Sequence, residues 1–253
     1  FDSGLGGLTV VREFRRLAPS ERVLYLGDTA RLPYGTKSPE AVRQFAVENA
    51  VRLVERGIKA LVIACSTASS VALELLKEML RVPVIGVTEA GGRARAFRQR
   101  KFRKIGVIGT RGTILKGEYQ RLVAELQPEA EIIAKPCPLF VPLVEEGITS
   151  GPIAEMVVDY YLRELKGVEA LVLGCTHYPL LKDLVAGYMG EGTLLVDPSE
   201  EAALETLRRL KEEGLEAKEG KGGVEVLLTD LPPGYMDLIR RFLGEDNVEV
   251  RRV

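Results

Sequence analysis

Residues 57–69, GIKALVIACSTAS, and residues 167–179, GVEALVLGCTHYP, share one design: an apolar run, a small residue, then a cysteine followed by hydroxyl-bearing residues. A short apolar run bounded by Gly fits a strand covered on both faces, as parallel sheets require. The repeat sets Cys65 and Cys175 at equivalent strand ends in two related halves. A cleft between such halves presents one thiol from each side, which is what a two-base proton transfer needs.

The rest of the chain follows the same alternation. Apolar runs at 23–27, 60–65, 82–87, 105–109, 170–174 and 194–196 each end in Gly, Asp, Cys or another turn-forming context and lead into a helical pattern. Ser38 with Pro39 opens a helix that stops at Gly57; Asp197, Pro198 and Glu200 open another that stops at Gly214. Strand alternating with helix predicts an α/β fold with mainly parallel sheets covered by helices on both faces. KIGVIGTRGT (104–113) also matches FDSGLGG (1–7), if a strand leads into Asp2, so this sequence is expected to hold only the end of that strand. Two pseudo-symmetric, doubly wound domains result, with the active site in the cleft between them. VEVLLTD (224–230) and VEVRRV (248–253), with a Leu- and Arg-rich helix between, are too few elements for a domain. They are expected to return to the first half, giving a discontinuous domain of 1–92 plus 199–253 and a second of 93–198.

Composition narrows the function classes. The chain has 253 residues, 46% hydrophobic and 28% charged, enough for buried cores. A net charge of -1 and a pI near 6.1 provide no global field for nucleic acid or an anionic membrane. The basic stretch RARAFRQRKFRK (93–104) is read as a solvated helix face and a linker into the second half. No apolar run approaches the ~20 residues of a membrane span, and no charged n-region with an apolar h-region opens the chain. Three scattered cysteines argue against a disulfide framework and for a reducing compartment, so a cytoplasmic location is expected. Abundant Arg and Glu with no Trp is a balance common in thermophile proteins.

A thiol acts as a base only as thiolate, and a helix N-terminus or a cation lowers its pKa. Both Cys65 and Cys175 precede helical patterns. Cys175 also has His177, the chain's single histidine, two residues on, placed to relay a proton or orient the thiol. Asp2 stands at a strand end equivalent to those of the cysteines, and Glu145 lies in the apolar context PLFVPLVEEG (138–147). A lone cysteine ending a buried strand is commonly a small core residue; two at matching places in a repeat, each followed by Thr, favour chemistry. No CxxC or HxxxH spacing supports a metal site, and Cys137, between two prolines, reads as structural. Gly4, Gly6 and Gly7 lack the third glycine of a dinucleotide fingerprint, but make an anion-friendly helix start.

FDSGLGGLTVV (1–11), GDTARLPYG (27–35), ACSTASS (64–70) and GCTHYPLL (174–181) together resemble, in order and spacing, the signature segments of the glutamate racemase family. The resemblance runs from Phe1 through Asp197 and more faintly to the C-terminus. It implies interconversion of L- and D-glutamate with no cofactor and no metal, supplying D-glutamate for peptidoglycan. By the family pattern Cys65 deprotonates D-glutamate and Cys175 L-glutamate; Asp2 assists Cys65, while His177 helped by Glu145 assists Cys175. Substrate contacts carry over to Asp2, Ser3, Pro33, Tyr34, Gly35, Ser66, Thr67, Thr176 and His177. Donors at both carboxylates suit the reaction, because negative charge grows as Cα becomes carbanion-like. The implied partner is a small-molecule substrate, with a homodimer expected from common family behaviour and no nucleic acid or membrane.

One position departs from the family, which has Asn where this chain has Ser66. An outright loss of that buried hydrogen bond costs about 1–3 kcal/mol. The rival readings are an aspartate or broad-specificity amino-acid racemase of the same superfamily, and a two-domain amino-acid-binding protein whose cysteines only pack.

Overall fold

The computed structural model describes residues 1–244 and 248–253. Its strands are β1 (Arg22–Gly27), β2 (Leu61–Ile63), β3 (Val84–Gly86), β4 (Lys104–Gly109), β5 (Glu131–Pro136), β6 (Ala170–Gly174), β7 (Leu194–Val196), β8 (Gly223–Leu228) and β9 (Glu249–Arg252). Every pairing among them is parallel. The α/β expectation holds, and buried β6, apolar throughout, shows why: all five of its residues are covered.

The helices between strands are α1 (Leu8–Leu17), α2 (Pro39–Val54), α3 (Ser66–Met79), α4 (Val87–Gly92), α5 (Arg95–Gln99), α6 (Arg111–Lys116), α7 (Glu118–Leu126), α8 (Phe140–Glu145), α9 (Pro152–Leu162), α10 (Lys182–Met189), α11 (Pro198–Glu212) and α12 (Tyr235–Leu243). Their starts follow the capping chemistry legible in the chain. The Ser38 hydroxyl accepts from Ala41 N–H at 3.2 Å, and Asp197 Oδ1 accepts from Ser199 N–H at 2.9 Å, each ahead of a proline in the first turn.

The repeat appears as topology. One sheet runs β5-β4-β6-β7. In the other half β1 and β2 flank residues 1 and 2: Asp2 N–H donates to Leu26 C=O at 3.0 Å, and Ala64 N–H donates to Phe1 C=O at 2.9 Å. With β3 beside β2, the order β1–(1, 2)–β2–β3 reproduces β5-β4-β6-β7. Near the C-terminus β8 adds to β1 and β9 to β8. Asp2 is held at both backbone groups, because Asp28 N–H also donates to its carbonyl at 3.0 Å.

The structure departs locally from the sequence pattern. The runs at 60–65 and 82–87 shorten to three-residue strands because Ala64 and Cys65 turn away to start α3, and Val87 already begins α4. Strand β5 escaped notice, since Glu131 and Lys135 interrupt its apolar run and it lies half-buried at a sheet edge. The basic stretch at 93–104 keeps a solvated face, with Arg95 and Arg98 exposed on α5 and Arg100 and Arg103 exposed after it, but it also packs inward: Phe97 and Phe102 are buried and meet edge-on, centroids 5.9 Å apart.

A cavity of about 1040 Å³, lined by Phe1 and residues of β1 and β2 among others, includes neither Cys65 nor Cys175. The chemistry-bearing residues gather elsewhere, at the carboxyl ends of the strands where open α/β sheets bind ligands.

Candidate active site

Cys65 leaves the end of β2 and caps α3. It is buried, its thiol directed at Ser3 Oγ 3.7 Å away. Burial pushes the thiol up to about 12, and the Asp2 carboxylate pushes in the same direction, against the Ala68 N–H and Ser3, which favour thiolate. Cys65 therefore rests protonated.

Cys175 follows β6 but does not face a helix start. A 3₁₀ turn, Tyr178–Leu181, intervenes before α10, so the expectation of a helix end at both thiols holds for Cys65 alone. Its charge partner is the imidazole: His177 Nδ1 is 3.8 Å from Cys175 Sγ, and His177 Nε2 is 3.2 Å from Glu145 Oε1. Burial is the strongest single influence on His177 and disfavours the imidazolium; Cys175 and Glu145 together outweigh it and raise the pKa to about 10. The ring of Phe242 from α12 backs the imidazole edge-on at 5.5 Å.

Asp2 ties the halves together. Its carboxylate accepts from Gly4 N–H at 2.9 Å and from the Thr176 hydroxyl at 3.4 Å, and it is fully buried. Asp2 lies behind the cavity rather than on its lining. The glycines after it serve close approach: a Cβ on Gly6 would sit 2.5 Å from both His177 Nδ1 and Thr176 Oγ1.

One narrow cavity takes its walls from both halves. Cys65, Cys175, Ser3, Pro33, Tyr34, Gly35, Ser66, Thr67, Thr176, His177 and Glu145 all line it. Its enclosed volume of about 30 Å³ is small against an amino acid, roughly one water's share of liquid. Sequence reasoning missed Thr110, which also lines the cavity; its hydroxyl is 3.1 Å from that of Thr67 and 3.0 Å from that of Thr113. The match of KIGVIGT to FDS carried the signal, since Thr110 falls opposite Ser3. Also missed was the support beneath Tyr34, whose hydroxyl donates to Asp28 and accepts from Asn49 Nδ2 at 3.0 Å.

Buried Cys137 directs its thiol at the Lys135 carbonyl, 3.6 Å away, and is not on the cavity. Among the described residues no three His, Cys, Asp or Glu side chains are grouped to hold a metal ion, and no helix is long and apolar enough to cross a membrane.

The family described as Asp/Glu/Hydantoin racemase matches over residues 8–217. A glutamate racemase of Thermus thermophilus is 50% identical, covering all of this chain and 94% of that protein. One from Geobacter metallireducens is 47% identical, covering 96% of this chain and 91% of that protein. The crystal structure of the Francisella tularensis glutamate racemase in complex with D-glutamate superposes with a TM-score of 0.92 at 35% identity, covering all of this chain and 95% of that one. The chain belongs to the Asp/Glu/Hydantoin racemase family and, within it, to the glutamate racemases.

Proposed function

We propose that this protein interconverts L- and D-glutamate with two thiols, one taking the Cα proton and the other delivering its own proton to the opposite face, with no cofactor. The observation that carries the reading is the pair Cys65 and Cys175, buried on equivalent strand ends and lining one cavity. In the L to D direction the Cys175 thiolate, with His177 as its cationic partner, takes the Cα proton. The Cys65 thiol then delivers its own proton to the opposite face. The return direction exchanges the roles, with Asp2 beside Cys65 and Glu145 steadying His177.

The remaining lining residues hold the substrate. Hydroxyls of Ser3, Ser66 and Thr67, with backbone N–H groups near Gly35 and at the start of α3, face the two carboxylates, while Tyr34 and Thr176, whose hydroxyls donate to Asp28 and Asp2, shape the wall with Pro33. Donors fixed in a dry site are worth most where negative charge develops, on the carboxylate next to Cα. The enclosed space is too small for glutamate, so the halves part to admit it and close again. We take these halves to be domains of 1–92 plus 199–253 and 93–198.

The product suits peptidoglycan synthesis in the cytoplasm, with the protein acting as a homodimer. Incubating purified protein with L-glutamate and no added cofactor tests the reading: optical rotation decays to zero. Decay with L-aspartate but not L-glutamate would instead identify an aspartate racemase, and no decay with any amino acid would leave a binding protein.

A further inference from the structure

Tyr119 touches neither substrate nor the cavity, yet it meets both thiol-bearing segments. Gly117, with φ at +75°, turns the chain sharply between α6 and α7 and sends Tyr119 inward, where it is fully buried. Its hydroxyl is 3.1 Å from Ser66 Oγ and also engages Thr88. Ser66 immediately follows Cys65 and lines the cavity. The far side of the ring lies against Gly174, which immediately precedes Cys175: a Cβ added there would stand 3.0 Å from Tyr119 Cε2. Only a residue without Cβ fits at 174, where the Ile108 carbonyl would stand 2.5 Å from that atom and the Tyr119 ring is the next neighbour.

One rigid side chain thus spans from the residue after the first thiol to the residue before the second. The far end is equally fixed, since the Ser66 carbonyl accepts from the Thr88 hydroxyl at 3.1 Å and from the Ser70 hydroxyl at 2.8 Å. With its carbonyl pinned, Ser66 places its hydroxyl by its side-chain rotamer, and Tyr119 is the partner of that hydroxyl. A tyrosine suits this place because the ring resists bending and the hydroxyl bonds at its tip.

We propose that Tyr119 is a positioning residue that sets the spacing of Cys65 and Cys175 and orients the Ser66 hydroxyl toward the substrate. The inference rests on the racemase reading above. Its two parts separate by mutation. Tyr119→Phe keeps the ring and loses only the hydroxyl; Tyr119→Leu keeps apolar filling and loses the ring.

The test measures kcat and KM for both enantiomers of glutamate. Tyr119→Phe is expected to raise KM about fivefold with kcat within about twofold, the loss typical of one hydrogen bond. Ser66→Ala is expected to do the same, and Tyr119→Phe with Ser66→Ala together to do no more than either alone, because both remove one interaction. Tyr119→Leu is expected to lower kcat at least about tenfold, as a misplaced base does. A purely structural tyrosine would lower Tm and leave KM and kcat per folded molecule unchanged in both Tyr119 variants; that result overturns the proposal, as does additivity of Tyr119→Phe with Ser66→Ala. If the parent protein fails to racemise glutamate, the racemase reading fails and this inference with it, whereas an active parent with unaltered variants removes the inference alone.

Discussion

Nδ1 of His177 faces the Cys175 thiol at 3.8 Å while the opposite ring nitrogen faces Glu145 at 3.2 Å, so the imidazole bridges a base and a carboxylate. His177→Asn removes the proton-holding group beside one thiol only. The two enantiomers nevertheless have equal free energy, so any variant must lose kcat/KM equally in both directions. The expected fall is about 10²-fold or more, within the range of general acid–base catalysis. Glu145→Gln keeps the imidazole and should lose less, about tenfold. Progress curves from pure L- and pure D-glutamate check both values.

Replacing either thiol by a hydroxyl should stop turnover with the fold intact. Cys65→Ser and Cys175→Ser are each expected to lower kcat by about 10³-fold or more, since a serine hydroxyl is a far poorer base than a thiolate. Cys137→Ser leaves the lining untouched and should alter stability more than rate, its site being sealed in the core. Full activity in either of the first two variants contradicts the two-thiol mechanism.

Stability should decline in alkali for an identifiable reason. The folded state raises His177 from 6.5 to about 10, so folding tightens its proton. The resulting stabilisation is fully present below about pH 6.5 and is lost as pH climbs toward about 10. Cys65, raised from 9.0 to about 12, has the same sign and extends the loss upward. Tm measured from pH 6 to 10 should fall, and His177→Asn should flatten that fall. An unchanged slope in the variant would show that the pair with Cys175 does not bind the proton in this way.

Gly6→Ala tests the contact between the halves. Its new Cβ would collide with His177 Nδ1 and Thr176 Oγ1, both 2.5 Å away, and neither is the free end of a long side chain. The expected result is a loss of at least about tenfold in kcat/KM, because displacing a catalytic group by about 1 Å costs up to 10²-fold. Calorimetry should show a fold that survives with a lower Tm.

The repeat around Cys65 and Cys175 made much of the site legible, because a strand end fixes where a side chain emerges and two equivalent ends face one cleft. Ser38 and Asp197 announced their helices through capping chemistry that acts locally. What stayed hidden depends on neighbours far away in the chain. Strand β5 reads poorly because an edge strand needs only one apolar side. Asn49 and Tyr119 act through partners 15 and 53 residues distant, and Asp28 also meets Thr229, 201 residues away, which no local pattern reveals. The glycine-rich start was read for anion binding, whereas Gly6 is required by how closely His177 packs against it.

The most direct test of two thiols sharing one proton transfer is conversion of L-glutamate in D₂O, stopped early and analysed by NMR for each enantiomer separately. Early D-glutamate should carry deuterium at Cα while the remaining L-glutamate keeps its hydrogen, because the proton is taken on one face by Cys175 and delivered on the other by Cys65. D-glutamate that retains the original Cα hydrogen would show a single base returning the same proton, and would contradict the mechanism.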